Sequence, residues 1–159
     1  MSVDESRDDA LREAATRFTN RREVAIEWGD CDPAGIVFYP RYFAFFDAAT
    51  AGLFEAVGLP KWELVKAEGI VGFPMVDTRA TFSIPSAWGE RITIDSRVSR
   101  WKRSSFDVEH VVRKQAGGAE AIRAWETRVW VARQPDAPGG IKGRPIPRAV
   151  IARFAEAAG

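Results

Sequence analysis

Residues 28–40 read WGDCDPAGIVFYP, and this stretch decides the fold and the chemistry of the chain. It places two short carboxylates, Asp30 and Asp32, in a turn rich in glycine and proline, just before a helix that opens with Pro40. The N-terminus of a helix presents oriented backbone N–H groups and a partial positive charge. A carboxylate that faces such a helix end can attack a carbonyl carbon or activate water, while the N–H groups stabilise the developing oxyanion. The stretch therefore contains an arrangement that hydrolysis can use.

The segments on either side of this turn predict one strand and one long helix. Residues 22–28 (REVAIEW) alternate apolar and polar side chains, which is the period of a strand with one buried face. The long helix is predicted over residues 40–57, because proline fits the first helical position and Gly58 provides a stop. A shorter helix is predicted over residues 61–68. The apolar stripe of the long helix, which we expect to face a sheet, consists of Tyr42, Phe46, Ala49, Leu53 and Val57.

The rest of the chain is mostly strand-like. Four segments separated by turn residues have the pattern of strands, and they lie at residues 73–84, 91–102, 105–115 and 120–133. Residues 134–147 are rich in proline and glycine and predict a loop, and the residues after them predict a short helix. One strand, one long helix and a run of antiparallel strands predict an α+β domain with the helix packed on a single sheet.

The composition limits the kinds of protein that this chain can be. Its 159 residues suffice for one domain with a buried core. The net charge of +1 gives no general attraction for nucleic acid or for an acidic membrane surface, so an anionic ligand needs a local basic patch. Cys31 has no second cysteine to pair with, and the N-terminus lacks the apolar segment of a secretory signal, so we expect a cytoplasmic location. We predict that residues 1–20 form a flexible polar extension and that residues 21–159 form a single domain.

Three later segments extend the pattern of residues 28–40. They are RYFAFFDAAT at 41–50, GIVGFP at 69–74 and WKRSSF at 101–106. Taken in this order, the four segments resemble the hot-dog-fold acyl-CoA thioesterases of the 4-hydroxybenzoyl-CoA thioesterase family. The resemblance implies an antiparallel sheet wrapped around one long helix. It also implies hydrolysis of an aryl acyl-CoA, of the benzoyl or hydroxybenzoyl type, to the free acid and CoA, in the degradation of aromatic compounds.

The resemblance also carries expectations about cofactors and assembly. It implies neither a metal nor an organic cofactor, because thioester hydrolysis needs only an activated nucleophile and an oxyanion donor. It implies homodimers that assemble into homotetramers, with the acyl-CoA substrate bound between subunits.

Two positions are expected to do the chemistry. An aspartate before proline is often only a turn-former. In the resembling family, however, the carboxylate directly before Pro-Ala-Gly serves the hydrolysis, and here it is Asp32. It acts either as a nucleophile that forms a mixed anhydride or as a general base through water, and the sequence does not choose between them. Because Pro40 has no N–H, the nearest donor at the helix entrance is the amide of Tyr39, which the family uses to polarise the thioester carbonyl.

Three further positions are expected to shape the acyl site. Asp47 lies in an otherwise apolar helix stretch, and a buried carboxylate there requires a partner. In the resembling family a carboxylate at the matching helix position can bind the ring hydroxyl. Val71 is expected to form a pocket wall, with ordinary core packing as the alternative. Phe73 departs from the family, where a small hydroxylated residue is expected, so benzoyl, another substituted benzoyl or a phenylacyl group is favoured as much as 4-hydroxybenzoyl.

The segment after Trp101 is expected to hold the CoA phosphates. A charged hairpin tip is usually only a solvated surface, but this one matches the segment that meets the phosphates in the resembling family. Lys102, Arg103 and Ser105 are the residues concerned, and charge-assisted hydrogen bonds from Lys and Arg suit phosphate oxygens. The family is more basic at the position of Ser104, which predicts weaker phosphate binding here.

Three alternative functions stay open, with different weight. The first is a broad-range thioesterase for aliphatic acyl-CoAs, and the second is a non-catalytic hot-dog protein that binds acyl-CoA. Retention of an acid at position 32 argues against the second. The third is a hot-dog dehydratase, which relies on a histidine at the active-site turn. None occurs between Trp28 and Tyr39, and we expect the one histidine of the chain, His110, to be a structural or surface residue.

Overall fold

A five-stranded antiparallel sheet organises the domain. The computed structural model describes residues 3–159. The strands are β1 Asn20–Ala25, β2 Met75–Phe82, β3 Arg91–Trp101, β4 Ser105–Lys114 and β5 Glu120–Val129. They pair in the order β1-β3-β4-β5-β2, so that β1 and β2 form the two edges. The predicted α+β domain with an antiparallel sheet is confirmed.

The long helix lies on one face of this sheet. It is α2, Pro40–Ala56, and the shorter helix α3, Lys61–Glu68, follows it. The predicted apolar stripe is confirmed, because none of its five residues exposes more than 6% of its surface. Along β4 and β5 every second side chain points toward the helix and is buried, as the pleat of a strand requires. The core therefore lies between α2 and the inner face of the sheet.

Two predicted strands end earlier than expected. Strand β1 ends at Ala25, and Trp28 lies in a short 3-10 turn with 76% of its surface exposed. The predicted strand over residues 120–133 is interrupted at Trp130, whose N–H donates to the carbonyl of Ser104. Beyond it, β6 (Val131–Arg133) pairs with β7 (Ile141–Gly143) in a separate two-stranded sheet. The prediction of a loop over residues 134–147 was therefore wrong for β7, because three residues are too few to show a periodic pattern.

The N-terminal residues form a helix that packs on the C-terminal helix. Helix α1 spans Val3–Ala15 and helix α4 spans Arg148–Ala158, the predicted terminal helix. Ala15 is fully buried, and the Phe18 and Phe154 rings meet edge to face with centroids 6.0 Å apart. Of the predicted flexible extension, residues 1–2 lie outside the described residues, and the described part contributes apolar side chains to the core. The predicted flexibility of this extension relative to the domain stays a prediction.

Candidate active site

The carboxylate of Asp32 both closes a turn and keeps one oxygen available. Its Oδ1 accepts a hydrogen bond from the N–H of Ala34 at 2.8 Å. The Asp32 N–H donates to the carbonyl of Ile36, and its carbonyl accepts from the N–H of Gly35, which has the positive φ of 80° that closes this turn. Oδ2 has no hydrogen-bond partner among residues 3–159, and the side chain is half-buried. The turn-forming role and an available carboxylate oxygen therefore coexist in one residue.

Two pockets flank this turn. Asp32 lines a pocket of about 530 Å³ whose walls include the exposed indoles of Trp28 and Trp88. These two rings meet edge to face with centroids 5.6 Å apart. A second pocket, of about 300 Å³, is lined mainly by apolar side chains and includes Tyr39 and Phe82. The turn therefore separates two spaces, which suits a substrate that extends to both sides of its reacting carbon.

The backbone N–H of Tyr39 is open at the start of α2. Tyr39 precedes the first helical residue and already has helical angles, φ −52° and ψ −34°. Among the described residues its N–H donates to no acceptor, and Pro40 contributes no N–H. The first N–H groups of a helix lack partners within the helix and carry its partial positive charge. This N–H can therefore donate to an oxygen that develops negative charge.

Asp30 connects the turn to the helix. Its buried carboxylate accepts from the N–H of Glu27 at 2.8 Å and from Nη2 of Arg41 at 2.9 Å. Its carbonyl accepts from the N–H of Phe38 at 2.8 Å. Because Arg41 lies in the first turn of α2, these bonds set the position of the Asp32 turn relative to the helix end. Asp30 thus has a structural role, whereas one carboxylate oxygen of Asp32 has no partner among the described residues.

Asp47 is exposed, and its partner is buried. Its side chain is 59% exposed, and Oδ1 accepts from Nη1 of Arg128 at 2.8 Å. Arg128 lies on the inner face of β5 and exposes only 4% of its side chain. Burial would lower the pKa of Arg128, but hydrogen bonds and charges from Glu126 and Asp47 raise it overall. The carboxylate is therefore exposed and paired with an arginine of β5, and a substrate-binding role for Asp47 stays a prediction.

The two expected acyl-site residues before β2 lie in different surroundings. Val71 is exposed, whereas Phe73 exposes 2% of its surface. The Phe73 ring stacks on Phe54 at 4.6 Å between centroids and on Trp130 at 6.2 Å. It belongs to the core and lines neither pocket beside Asp32. Its backbone carbonyl, in contrast, accepts from Nη1 of Arg128 at 3.5 Å, so the Phe73 backbone lies close to the partner of Asp47.

The expected phosphate-binding residues lie far from Asp32 within one chain. Lys102 pairs with Asp107 at 3.1 Å, the Arg103 side chain is exposed without a partner among the described residues, and Ser105 begins β4. These residues follow the C-terminal end of β3. The Asp32 turn lies beside the N-terminal end of β3, because Val37 donates to the carbonyl of Ser86. With 11 residues in β3, the two ends are roughly 30 Å apart.

A buried polar network under α2 escaped the sequence analysis. Oε2 of Glu126 accepts from Oγ1 of Thr50 at 3.0 Å and lies 3.4 Å from Nε2 of His110, whose Nδ1 is 2.6 Å from Oγ of Ser96. Burial, the largest influence, raises the pKa of Glu126, but hydrogen bonds and charges from His110 and Arg128 outweigh it and lower this pKa to about 2. The alternation of the strands could have indicated this network, because Ser96, His110 and Glu126 occupy inward-facing positions of β3, β4 and β5.

Residues 3–159 contain no group of three or more His, Cys, Asp or Glu side chains that could hold a metal ion. Within the same residues no single helix is long and apolar enough to cross a membrane. By length and composition alone, α2 and α3 pass that test together as a pair bent by 69°.

Comparison with known proteins identifies the family of this chain. A family model described as the thioesterase-like superfamily matches residues 26–154. The 4-hydroxybenzoyl-CoA thioesterase of Pseudomonas sp. strain CBS-3 is 40% identical over 109 residues, which are 66% of this chain and 77% of that protein. The solved structure of the Pseudomonas enzyme superposes with a TM-score of 0.78 at 34% identity, covering 85% of this chain and 98% of the other.

A second solved structure has a similar fold. A gentisyl-coenzyme A thioesterase superposes with a TM-score of 0.72 at 31% identity, covering 86% of this chain and 99% of the other. The predicted hot-dog fold and thioester hydrolase activity are thereby confirmed. The chain belongs to the thioesterase-like superfamily, as a hot-dog-fold acyl-CoA thioesterase of the 4-hydroxybenzoyl-CoA thioesterase family.

Proposed function

We propose that this protein hydrolyses an aryl-CoA thioester of the benzoyl or hydroxybenzoyl type to the free acid and CoA. The proposal is carried by one observation: an Asp32 oxygen and the Tyr39 N–H, both without a partner among the described residues, lie on either side of one turn. Two relatives at 31% identity or more support the substrate class, because their names give 4-hydroxybenzoyl-CoA and gentisyl-CoA. Both acyl groups are hydroxylated aromatic rings.

The proposed reaction uses these two groups in the same step. The thioester oxygen accepts from the N–H of Tyr39, which stabilises the negative charge that develops on it. Either Oδ2 of Asp32 attacks the carbonyl carbon, or it removes a proton from a water molecule that attacks. In both routes the C–S bond breaks and the CoA thiolate leaves. In the first route water then hydrolyses the mixed anhydride, and in the second the proton held by Asp32 passes to the thiolate. The bond from the N–H of Ala34 holds Oδ1 and thereby orients the carboxylate in both routes.

A second copy of the chain completes the proposed site. Strand β2 is an edge of the sheet, and an edge presents unpaired N–H and C=O groups to another strand. Exposed apolar side chains accompany this edge, among them Val76, Phe82 and Ile84. We propose that two β2 strands pair in a homodimer, which would bring residues of one chain to the other. Such a dimer also offers a way for Lys102 and Arg103 to serve an Asp32 turn that lies beside the other end of β3 in their own chain.

A measurement of the oligomeric state tests the proposed homodimer directly. Sedimentation velocity should find a dimer or a tetramer, and a monomer at micromolar concentration would contradict it. The pairing of dimers into tetramers stays a prediction. So do the cytoplasmic location, the place in the degradation of aromatic compounds, and the expectation that neither nucleic acid nor a membrane is a partner.

One observation favours a second candidate, a thioesterase for aliphatic acyl-CoAs. The pocket of about 300 Å³ is lined mainly by apolar side chains such as Ile36, Phe82 and Ile84. An alkyl chain would fill such a space without leaving a polar group unpaired. The core position of Phe73 does not decide between the two candidates.

A panel of substrates separates these candidates. CoA release would be measured with benzoyl-, 2-, 3- and 4-hydroxybenzoyl-, phenylacetyl- and aliphatic C4 to C12 acyl-CoAs. Wild type would be compared with Asp32→Asn, and with Asp136→Asn as the same change at an exposed aspartate far along the chain. We expect the highest kcat/KM on an aryl thioester and a loss of at least ~10³-fold in Asp32→Asn alone. A preference for aliphatic chains would favour the second candidate, and full activity of Asp32→Asn would remove Asp32 from the mechanism.

A further inference from the structure

Two exposed tryptophans lie beside the Asp32 turn. Trp28 exposes 76% of its surface and Trp88 exposes 64%, although proteins usually bury most of an indole. The two rings meet edge to face, and both line the pocket of about 530 Å³ that also contains Asp32. A single exposed apolar side chain is ordinary, but a pair that forms the walls of a pocket around an available carboxylate indicates a binding surface.

Backbone hydrogen bonds hold both tryptophans in place. The carbonyl of Trp28 accepts from the N–H of Cys31 at 3.2 Å, which closes the short turn after β1. Trp88 lies just before β3, and the N–H of the next residue, Gly89, donates to the carbonyl of Ile26 at 3.1 Å. The segment of Trp88 is thus bonded to the segment that leads into Trp28. A ligand between the two indoles therefore has side-chain rotamers to order but little backbone.

The walls of this pocket suit an aromatic ring better than the CoA arm. Apart from Asp32 and the two indoles, the lining residues are small or apolar, and they are Cys31, Pro33, Gly35 and Ala87. The pantetheine arm of CoA contains amide groups, and the burial of an amide without a hydrogen-bond partner costs free energy. An aryl ring needs no such partner, and it gains from contact with the face or the edge of an indole.

The topology of the sheet also assigns this pocket to the acyl group. It lies on the β1 side of the sheet, because Trp28 follows β1 and Trp88 precedes β3, the neighbour of β1. The second pocket lies on the β2 side, since it contains Phe82 of β2 and Ile122 of the neighbouring β5. In the proposed homodimer the CoA phosphates are held across β2. The CoA arm then reaches Asp32 from that side and leaves the tryptophan pocket to the acyl group.

We propose that Trp28 and Trp88 form the walls of the acyl pocket and contact the aromatic ring of the substrate, so that they select aryl over aliphatic thioesters. The inference rests on the proposed function, since it takes an aryl-CoA as the substrate, and it adds the residues that choose the acyl group. The rings contact the acyl group alike before and during the reaction. Their loss should therefore raise KM for an aryl substrate more than it lowers kcat.

The test compares an aryl and an aliphatic substrate of similar size. The kcat and KM for benzoyl-CoA and hexanoyl-CoA would be measured in wild type, Trp28→Leu, Trp88→Leu and the double variant. Leucine keeps an apolar side chain but removes the aromatic ring, and both positions are exposed, so the changes leave no cavity in the core. Trp28→Phe and Trp88→Phe restore a ring at each position. Thermal unfolding of each variant checks that the fold is intact.

Trp125→Leu is the matched control. Trp125 lines neither pocket beside Asp32, and its half-buried ring packs under the guanidinium of Arg79 at 3.9 Å on the outer face of the sheet. The same substitution there removes an indole from a surface that has no proposed contact with the substrate. We therefore expect Trp125→Leu to keep the wild-type ratio of the two kcat/KM values.

The expected result is a change in that ratio. The preference for benzoyl-CoA over hexanoyl-CoA should fall by roughly fivefold in each single leucine variant and further in the double variant. Most of the fall should appear in KM for benzoyl-CoA, while the values for hexanoyl-CoA change little. The phenylalanine variants should recover most of the preference, because a phenyl ring can make the same kind of contact.

Other results would overturn the inference. An unchanged ratio in the folded double variant would show that the tryptophans do not contact the acyl group. Equal losses on both substrates would assign the two indoles to the CoA arm or to the fold. Failure of the proposed function looks different, because wild type itself would then hydrolyse no aryl thioester, and the inference would fall with it.

Discussion

Replacement of Tyr39 by proline would remove the backbone N–H at the start of α2 together with the phenol ring. The φ of −52° at Tyr39 lies within the range that the proline ring allows. The N–H that disappears has no acceptor among the described residues, so the folded chain loses no hydrogen bond with it. The phenol ring is lost as well, and for this reason Tyr39→Ala is the matched control: it removes the ring and keeps the N–H. The difference between the two variants isolates the proposed oxyanion donor.

The expected size of the effect follows from the role of the N–H. Removal of one oxyanion donor typically raises the barrier by about 3 kcal/mol. At 1.36 kcal/mol for each factor of ten, kcat should fall by roughly 10²-fold in Tyr39→Pro relative to Tyr39→Ala. KM should change less, because the N–H bonds the developing oxyanion more strongly than the ground-state carbonyl. Tyr39→Ala itself should keep most of the wild-type kcat.

The assay is steady-state CoA release on the best aryl substrate of the panel. Thermal unfolding and sedimentation of both variants show whether the turn and the assembly survive the change. A Tyr39→Pro variant that is folded, assembled like Tyr39→Ala and within fivefold of its kcat would refute the role of this N–H. The oxyanion would then have to be stabilised by another donor.

Two further predictions concern stability. Phe54 is fully buried and packs against the rings of Phe73, Phe106 and Phe154. We therefore expect Phe54→Ala to destabilise the fold by about 3–5 kcal/mol and to lower the Tm by roughly 10 °C, whereas Trp62→Ala at an exposed ring should shift the Tm little. Equal Tm shifts of the two variants in calorimetry would contradict this packing. The pKa of Glu126 is lowered from 4.5 to about 2 in the folded chain, so its stabilising contribution is complete above pH 4.5 and is lost as the pH falls toward 2. Chemical unfolding between pH 5 and 2.5 should therefore show the stability gap between wild type and Glu126→Gln narrowing by about 2 kcal/mol. A gap that stays constant would mean that the folded carboxyl has an ordinary pKa.

Features encoded by neighbouring residues could be predicted from the sequence alone. The stripe from Tyr42 to Val57 has the period of a helix, and Pro40 and Gly58 mark its ends, so both the helix and its buried face were predicted. The turn around Asp32 is likewise a matter of adjacent residues, since its hydrogen bonds join positions no more than four apart. The role of Asp32 came from the resemblance of its segment to a family, because a periodic pattern carries no information about chemistry.

Only the tertiary structure decided the features that depend on contacts between residues distant in the sequence. Asp47 and Arg128 are 81 positions apart, and their ion pair exists because α2 packs across β5. Phe73 could have faced the acyl pocket or the core, and the stacking of Phe54 and Trp130 around it settled the matter. The segments that contain Lys102 and Asp32 both resemble active-site segments of the family, but the length of β3 separates the two residues within one chain. A pattern shows which face a side chain occupies, but only packing selects the neighbour that it meets there.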